Sequence, residues 1–327
     1  MTDVARLAGV STATVSRALS GNPIIPEATR QRIAEVARSI GYRIHHSAAN
    51  LRKGQTNSIG VVVLVSDEQP ISDPFVLGLI GHIADALNGQ GLNLLLTRIR
   101  ADHKAAMEAL VTSGQVAGLL VIGQNQHHQR FNELEAAGIP LVVWGAVLPD
   151  TQYSVVGGNN QDGGYQATRH LLQSGAKRIM FLGDNKYPEG KHRLVGYTKA
   201  LKEFGIKPDK ALQSFCPLAA DLVEQSIHTA IENGVDFDAV FVTSDVGAIS
   251  VVSALGKHHI KVPEQVKVVG YDNIQLSGYF HPTLTTVNQP IDQAAIAMVD
   301  LLKEKMTGRP SRSVVLSADL VERQSSH

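Results

Sequence analysis

Cysteine is nearly missing from this chain. Cys216 stands alone among 327 residues, which excludes an internal disulfide and any cysteine-cluster metal site. The thirteen histidines offer no ligand pattern in exchange, because none falls in a His-x-x-x-His or His-Glu-x-x-His arrangement. The adjacent pairs His45-His46, His127-His128 and His258-His259 point in different directions on a helix or strand, so they read as surface residues. No run of eighteen apolar residues occurs, and the N-terminal stretch lacks a basic-then-apolar signal region. A cytoplasmic protein with no membrane partner is expected. Neither a nucleophile elbow nor a Walker loop is present, and the glycines of Gly157-Gly158-Asn159-Asn160-Gln161-Asp162-Gly163-Gly164 do not fit the dinucleotide fingerprint. Scattered Asp and Glu cannot be paired as glycosidase carboxylates without geometry. The expectation is no catalytic residue, no cofactor and no metal.

What is present describes a folded, modular protein. Apolar content of 43% against 18% charged residues is that of a globular chain, and its length calls for two or three domains. The net charge is zero, but the charge is unevenly spread. Residues 1–57 hold eight basic side chains against three acidic ones, a surplus of five that the remainder of the chain offsets. A small basic module on an acidic body is the footprint of a head that meets phosphates.

Within that module, Val4, Ala5 and Ala8 share one helical face, and Gly9 suits the left-handed residue that ends a helix. Ser11 is a good N-cap for a second helix whose apolar stripe is Val15 and Leu19. Thr12, Ala13, Ser16 and Arg17 are left on its outer face. In a helix-turn-helix this part leads into the major groove, where Arg17 can pair with guanine and Ala13 can touch a thymine methyl. Pro26-Glu27 opens a third helix, on which Ile33, Val36, Ala37 and Ile40 would close the core before Gly41 stops it.

From Ser58 the pattern changes. Ile59-Gly60-Val61-Val62-Val63-Leu64-Val65 reads as a strand buried on both faces. Similar runs follow at Leu92–Thr97, Leu119–Ile122, Leu141–Trp144, Arg178–Leu182, Ala239–Thr243 and Val266–Gly270. Helical patterns alternate with them at Phe75–Leu87, Ala105–Val111, Gln166–Leu172, Arg193–Phe204, Leu222–Ile231 and Ile249–Leu255. Thr283–Gln289, Ala294–Lys305 and Ser313–Leu316 complete the set. Strand alternating with helix predicts parallel sheets. There are too many strands for one ordinary sheet, and Gly157-Gly158-Asn159-Asn160 breaks the series, so two doubly wound subdomains are expected.

The N-terminal run Asp3-Val4-Ala5, Ala8-Gly9-Val10-Ser11 and Ala13-Thr14-Val15-Ser16-Arg17 resembles the DNA-binding motif of the lac repressor/galactose repressor family. The resemblance continues in order through Val156–Gly164, Arg193-Leu194-Val195-Gly196-Tyr197, Val262-Pro263-Glu264, Val268–Asn273 and Pro282–Val287. It implies a small all-α helix-turn-helix head (1–46), a hinge helix (47–57) and an α/β core like a periplasmic sugar-binding protein (58–327). The core's lobes would be 58–157 with 289–318, and 158–288 with 319–327, joined by three crossovers. In the hinge, Leu51 would wedge between base steps in the minor groove, flanked by Arg52 and Lys53.

Carried over by position, the resemblance puts Asp73, Phe75, Trp144, Arg193, Ser244, Asp245, Asp272 and Gln289 around an effector in the cleft. Asp272 and Arg193 supply bidentate partners for sugar hydroxyls, and aromatic faces pack on the apolar side of the ring. An alternative reading makes Asp245 a helix cap. The chain departs from the family at Asn159-Asn160, where Asp-Asn is common, and at Trp144-Gly145, where Asp-Arg often follows the strand. Gly145 would then let a ligand approach the backbone. The function implied is a homodimeric, sequence-specific regulator, a repressor of carbohydrate-utilisation genes. Its partners are pseudo-palindromic double-stranded operator DNA and a sugar effector, with an oligosaccharide or glucoside favoured. Inducer and corepressor both remain open, and a sugar-binding transport protein or carbohydrate-active enzyme is the alternative.

Overall fold

The computed structural model describes residues 1–19, 22–42, 56–65, 71–100, 105–124 and 127–327. The chain divides into two compact units, Met1–Thr56 and Asn57–His327.

The first unit holds three helices, α1 (Thr2–Ala8), α2 (Thr12–Leu19) and α3 (Glu27–Ser39). Gly9 ends α1 at φ 63, a backbone conformation that costs glycine little. The Ser11 hydroxyl accepts from Thr14 N at 3.1 Å and so starts α2 as an N-cap does. Val4, Ala5, Ala8, Val15, Ala18, Ile33 and Ala37 form the core. Ile40 does not join it. It lies past the end of α3, 42% exposed, and Tyr42 packs against the core instead.

The second unit contains two six-stranded sheets. The first lobe's elements are β1 (Ser58–Val65), α4 (Pro74–Asn88), β2 (Asn93–Arg100), α5 (Ala106–Thr112), β3 (Leu119–Ile122), α6 (His128–Ala136), β4 (Leu141–Trp144) and β5 (Ser154–Gly158). The second lobe follows with α7 (Asn160–Gln173), β6 (Ile179–Gly183), α8 (Pro188–Glu203), β7 (Gln213–Phe215), α9 (Ala220–Glu232), β8 (Ala239–Val242), α10 (Asp245–Lys257), β9 (Lys267–Asp272) and β10 (Thr285–Asn288). The chain then returns through α11 (Ile291–Met306) to β11 (Val314–Leu316) and ends at β12 (Asp319–Val321). In the first sheet the order is β11-β5-β4-β3-β1-β2, all parallel. In the second it is β12-β10-β9-β8-β6-β7, and only β12 runs antiparallel.

Alternation along each strand sends neighbouring side chains to opposite faces. From β1, Ile59, Val61 and Val63 pack under α4 and α11, while Val62 and Leu64 meet Met107 of α5 and Phe131 of α6. In the second lobe, Met180 and Leu182 pack with α9 and α10, and Ile179 and Phe181 with α7 and α8. Helices on both faces explain why the strands read as unbroken apolar runs. The expected small helical head and two doubly wound subdomains are both present.

Three crossings join the lobes: after Gly158, after Asn288 and after Leu316. Two expected boundaries shift. Gly157-Gly158 is the end of strand β5 rather than a bare break, because a Cβ on Gly157 would meet Gly145 O at 1.8 Å. Helix α8 begins at Pro188, so Arg193 lies in its second turn and does not open it. Among the described residues no helix is long and apolar enough to cross a membrane.

Candidate functional site

Two surfaces carry chemistry. On the first unit, Thr12, Ala13, Ser16 and Arg17 are all exposed while Val15 and Ala18 between them are buried. The outer face of α2 is therefore an exposed strip of two hydroxyls, a methyl and a guanidinium. Leu51, Arg52 and Lys53, the expected hinge contacts, lie outside the described residues.

The second surface is a cavity of about 490 Å³ between the two lobes. Its walls come from the carboxyl ends of parallel strands, where α/β folds place ligands. Seven of the eight expected effector residues line it: Asp73, Phe75, Trp144, Arg193, Ser244, Asp272 and Gln289. Asp73 is also the N-cap of α4, accepting from Phe75 N at 3.0 Å and Val76 N at 3.1 Å. Phe75 and Trp144 form a tilted aromatic pair with centroids 5.9 Å apart. Both belong to the first-lobe core as well, at 8% and 7% exposure, so Trp144 is a core residue that borders the cavity.

Arg193 is the most tightly held of these side chains. Its Nε donates to Asn160 Oδ1 at 2.8 Å and its Nη1 to Thr243 O at 2.6 Å, while Cζ lies 3.6 Å from the Tyr271 ring centroid. This geometry depends on two backbones in near contact. A Cβ on Gly164 would meet Arg193 O at 2.2 Å, and one on Gly196 would meet Gln161 O at 2.0 Å. Only glycine lets α7 and α8 approach this closely, which brings Asn160 to Arg193.

Asp272 Oδ1 accepts from Gln289 Nε2 at 2.7 Å. Its φ of 117 is rare for a residue with a side chain. Burial pushes the Asp272 carboxyl well above the usual range; Arg193 pulls against this, and Asp245 and Asp73 reinforce it. Burial likewise raises Asp73, opposed by its capping N–H groups, and raises Glu189 against the pull of Arg193.

Asp245 is not part of the cavity wall. It is fully buried, accepting from Thr286 Oγ1 at 2.5 Å and from Ile274 N at 2.9 Å. The carboxylate ties the start of α10 to β10 and the loop after β9. The cap of α10 is instead Ser244, whose Oγ accepts from Gly247 N at 3.0 Å. Gly145 borders the cavity, yet a Cβ there would meet Gln124 Cβ and Oε1 at 2.8 Å. The space it leaves is taken by protein. His128 is half-buried rather than a free surface residue, with Nδ1 3.0 Å from the Tyr153 hydroxyl.

Sequence reasoning missed Gln124, Asn160, Asp184, Tyr187 and Glu189, all of which line the cavity. Gln124 is held by Ala146 N and O and by the Tyr153 hydroxyl. Only position after a strand end could have pointed to it. In all, four carboxylates (Asp73, Asp184, Glu189, Asp272) and one guanidinium line the space.

A basic helix-turn-helix unit on the same chain as a two-lobed α/β unit, whose inter-lobe cavity carries buried ionisable side chains, defines a ligand-responsive DNA-binding regulator. Residues 1–44 match the family described as bacterial regulatory proteins, lacI family, and residues 168–326 match the periplasmic binding protein-like domain. The HTH-type transcriptional regulator CelR of Thermobifida fusca is 31% identical over 98% of this chain and 96% of its own length. The HTH-type transcriptional repressor PurR of Aliivibrio salmonicida is 29% identical over 99% and 98%. The chain belongs to the lacI family of bacterial regulatory proteins and is a DNA-binding transcriptional regulator. Among solved structures, a CelR–cellobiose complex superposes with a TM-score of 0.76 at 28% identity, covering 99% of this chain and 98% of that one. The lac repressor dimer bound to operator and the anti-inducer ONPF shares the fold, with a TM-score of 0.89 at 23% identity over the same shares.

Proposed function

We propose that the inter-lobe cavity binds a neutral sugar of two or more units, and that occupancy alters the grip of a homodimer on a pseudo-palindromic operator. The chain then acts as a repressor of carbohydrate-utilisation genes. The observation that carries this is the make-up of the cavity: four carboxyl groups against one guanidinium already engaged by Asn160 and Thr243. Phosphorylated or carboxylated ligands would find no unengaged cation among these side chains, whereas sugar hydroxyls can both donate to and accept from the carboxyl groups. Phe75 and Trp144 add the apolar wall that a pyranose face needs. The volume falls within the ordinary range for small-molecule sites, and likeness to a regulator solved with cellobiose supports the disaccharide class.

Thr12, Ala13, Ser16 and Arg17 would read base edges, with Leu51, Arg52 and Lys53 as a minor-groove wedge. Coupling requires that the sugar bind two lobe arrangements with different affinity. Calorimetric titration of the full chain tests the ligand class, with cellobiose, maltose, their phosphates and planar heterocycles as the panel. Binding confined to neutral disaccharides supports the reading; preference for a phosphorylated sugar or a heterocycle overturns it.

A further inference from the structure

A second polar cluster lies away from the cavity, where the last residues fold back on α7. His170, on α7, is 9% exposed. Its Nδ1 is 3.7 Å from Glu322 Oε1, and His327 Nε2 is 3.1 Å from Glu322 Oε2. One donor atom from each of the three residues lies within 4.8 Å of the others. Nothing in the DNA-binding or effector reading uses these groups.

The hydrogen bonds behind His170 fix its tautomer. The Thr285 hydroxyl donates to Arg323 O at 2.9 Å, so toward Ser326, 2.7 Å away, it can only accept. The Ser326 proton is thereby committed to Thr285, and Ser326 Oγ accepts from His170 Nε2 at 2.8 Å. The His170 proton is on Nε2, and the Nδ1 lone pair is aimed at a carboxylate oxygen. Two acceptors facing each other repel unless a cation lies between them. A proton can fill that position, and so can a metal ion.

We propose that His170, Glu322 and His327 form a site for a divalent first-row transition metal of the zinc class, tethering the 319–327 segment to α7. Two imidazoles and a carboxylate are a borderline donor set of the kind zinc takes, with solvent able to supply a fourth ligand. Zinc–ligand bonds of about 2.0–2.2 Å require the three atoms to draw closer than they now stand. The rigid member is His170, oriented through Ser326 as a metal-bound histidine is by its outer partner. Glu322 and His327, 56% and 54% exposed, are free to swing toward it. The Lys267 ammonium holds the same segment from its other side, donating to Ser326 O at 3.2 Å.

The two movable ligands are on the surface, so they can be changed without opening the core. Chelator-treated full-length protein is titrated with zinc, with heat of binding and melting temperature as readouts. Wild type should bind one equivalent and melt at a higher temperature. Glu322→Gln and His327→Ala should each weaken binding by at least roughly ten-fold, while His258→Ala, in a different histidine pair, should leave it unchanged. Zinc affinity undiminished in the Glu322→Gln/His327→Ala double variant would overturn the site, as would wild type that takes up no zinc and does not shift in melting.

Discussion

Arg193→Lys separates a guanidinium fork from a simple positive charge. The Arg193 side chain reaches Asn160 Oδ1 and Thr243 O at once while lying over Tyr271. A lysine ammonium keeps the charge but cannot span both acceptors or cover the ring face. Losing one charge-assisted hydrogen bond costs about 1.5–3 kcal/mol, and losing the stacking about 0.5–2 kcal/mol. Water admitted from the cavity recovers part of this. The net expectation is a core unit less stable by about 2 kcal/mol. Urea denaturation followed by circular dichroism measures it, and calorimetry on the same protein measures sugar binding, expected to weaken at least ten-fold. Stability within about 0.5 kcal/mol of wild type, the scatter of neutral surface substitutions, together with unaltered sugar affinity would refute the fork's role.

Arg17→Ala should weaken operator binding by about 1–3 kcal/mol and relax preference at one base pair, whereas a uniform loss over all sequences would make Arg17 a phosphate contact. Trp144 is the only tryptophan, so a bound sugar should shift intrinsic fluorescence saturably. Because Trp144 is also packed in the first-lobe core, Trp144→Ala should lose about 3–5 kcal/mol of stability, and Trp144→Phe is the variant that tests ligand contact. Burial raises Asp245 from 3.8 to about 7, so the folded chain holds a proton there that the unfolded chain has lost. The associated stability is present at low pH and disappears as pH rises through 7. Between pH 8 and 6.5 stability should therefore increase by on the order of 1 kcal/mol from this group, with Asp272 acting in the same direction, and Asp245→Asn should reduce that slope. The window stops at 6.5 because His170, held below its usual range by burial, acts in the opposite direction at lower pH.

Most of the architecture was legible because parallel strands covered on both faces must be apolar throughout. Ile59–Val65 and Ala239–Thr243 have no other comfortable home. Strand β5 was harder, since Gly157-Gly158 looks like a turn until the close approach of Gly145 O is seen. Strands β7 and β12 are three residues each, too short for a period to register. Helix starts were placed late wherever the first turn is polar or small, as in Asn160–Gly164 and Pro188–Glu189. At the cavity, motif position identified seven lining residues but could not tell Asp245 from Asp272. One closes a strand and the other lies just past one, and only tertiary hydrogen bonding turns Asp245 inward to Thr286 and Asp272 to Gln289. The His170–Glu322–His327 cluster joins residues far apart in the chain, beyond the reach of ligand-spacing rules.

Linkage between the cavity and the DNA-binding head is the central claim, and reciprocity tests it most directly. Operator DNA selected from a random pool is titrated with the full chain by fluorescence anisotropy, with and without the sugar found by calorimetry. The sugar's affinity is then measured with and without operator. Sugar should change the operator Kd by a factor of about 5–150, and operator should change the sugar Kd by the same factor. A sugar that binds wild type while leaving operator affinity untouched would contradict the account.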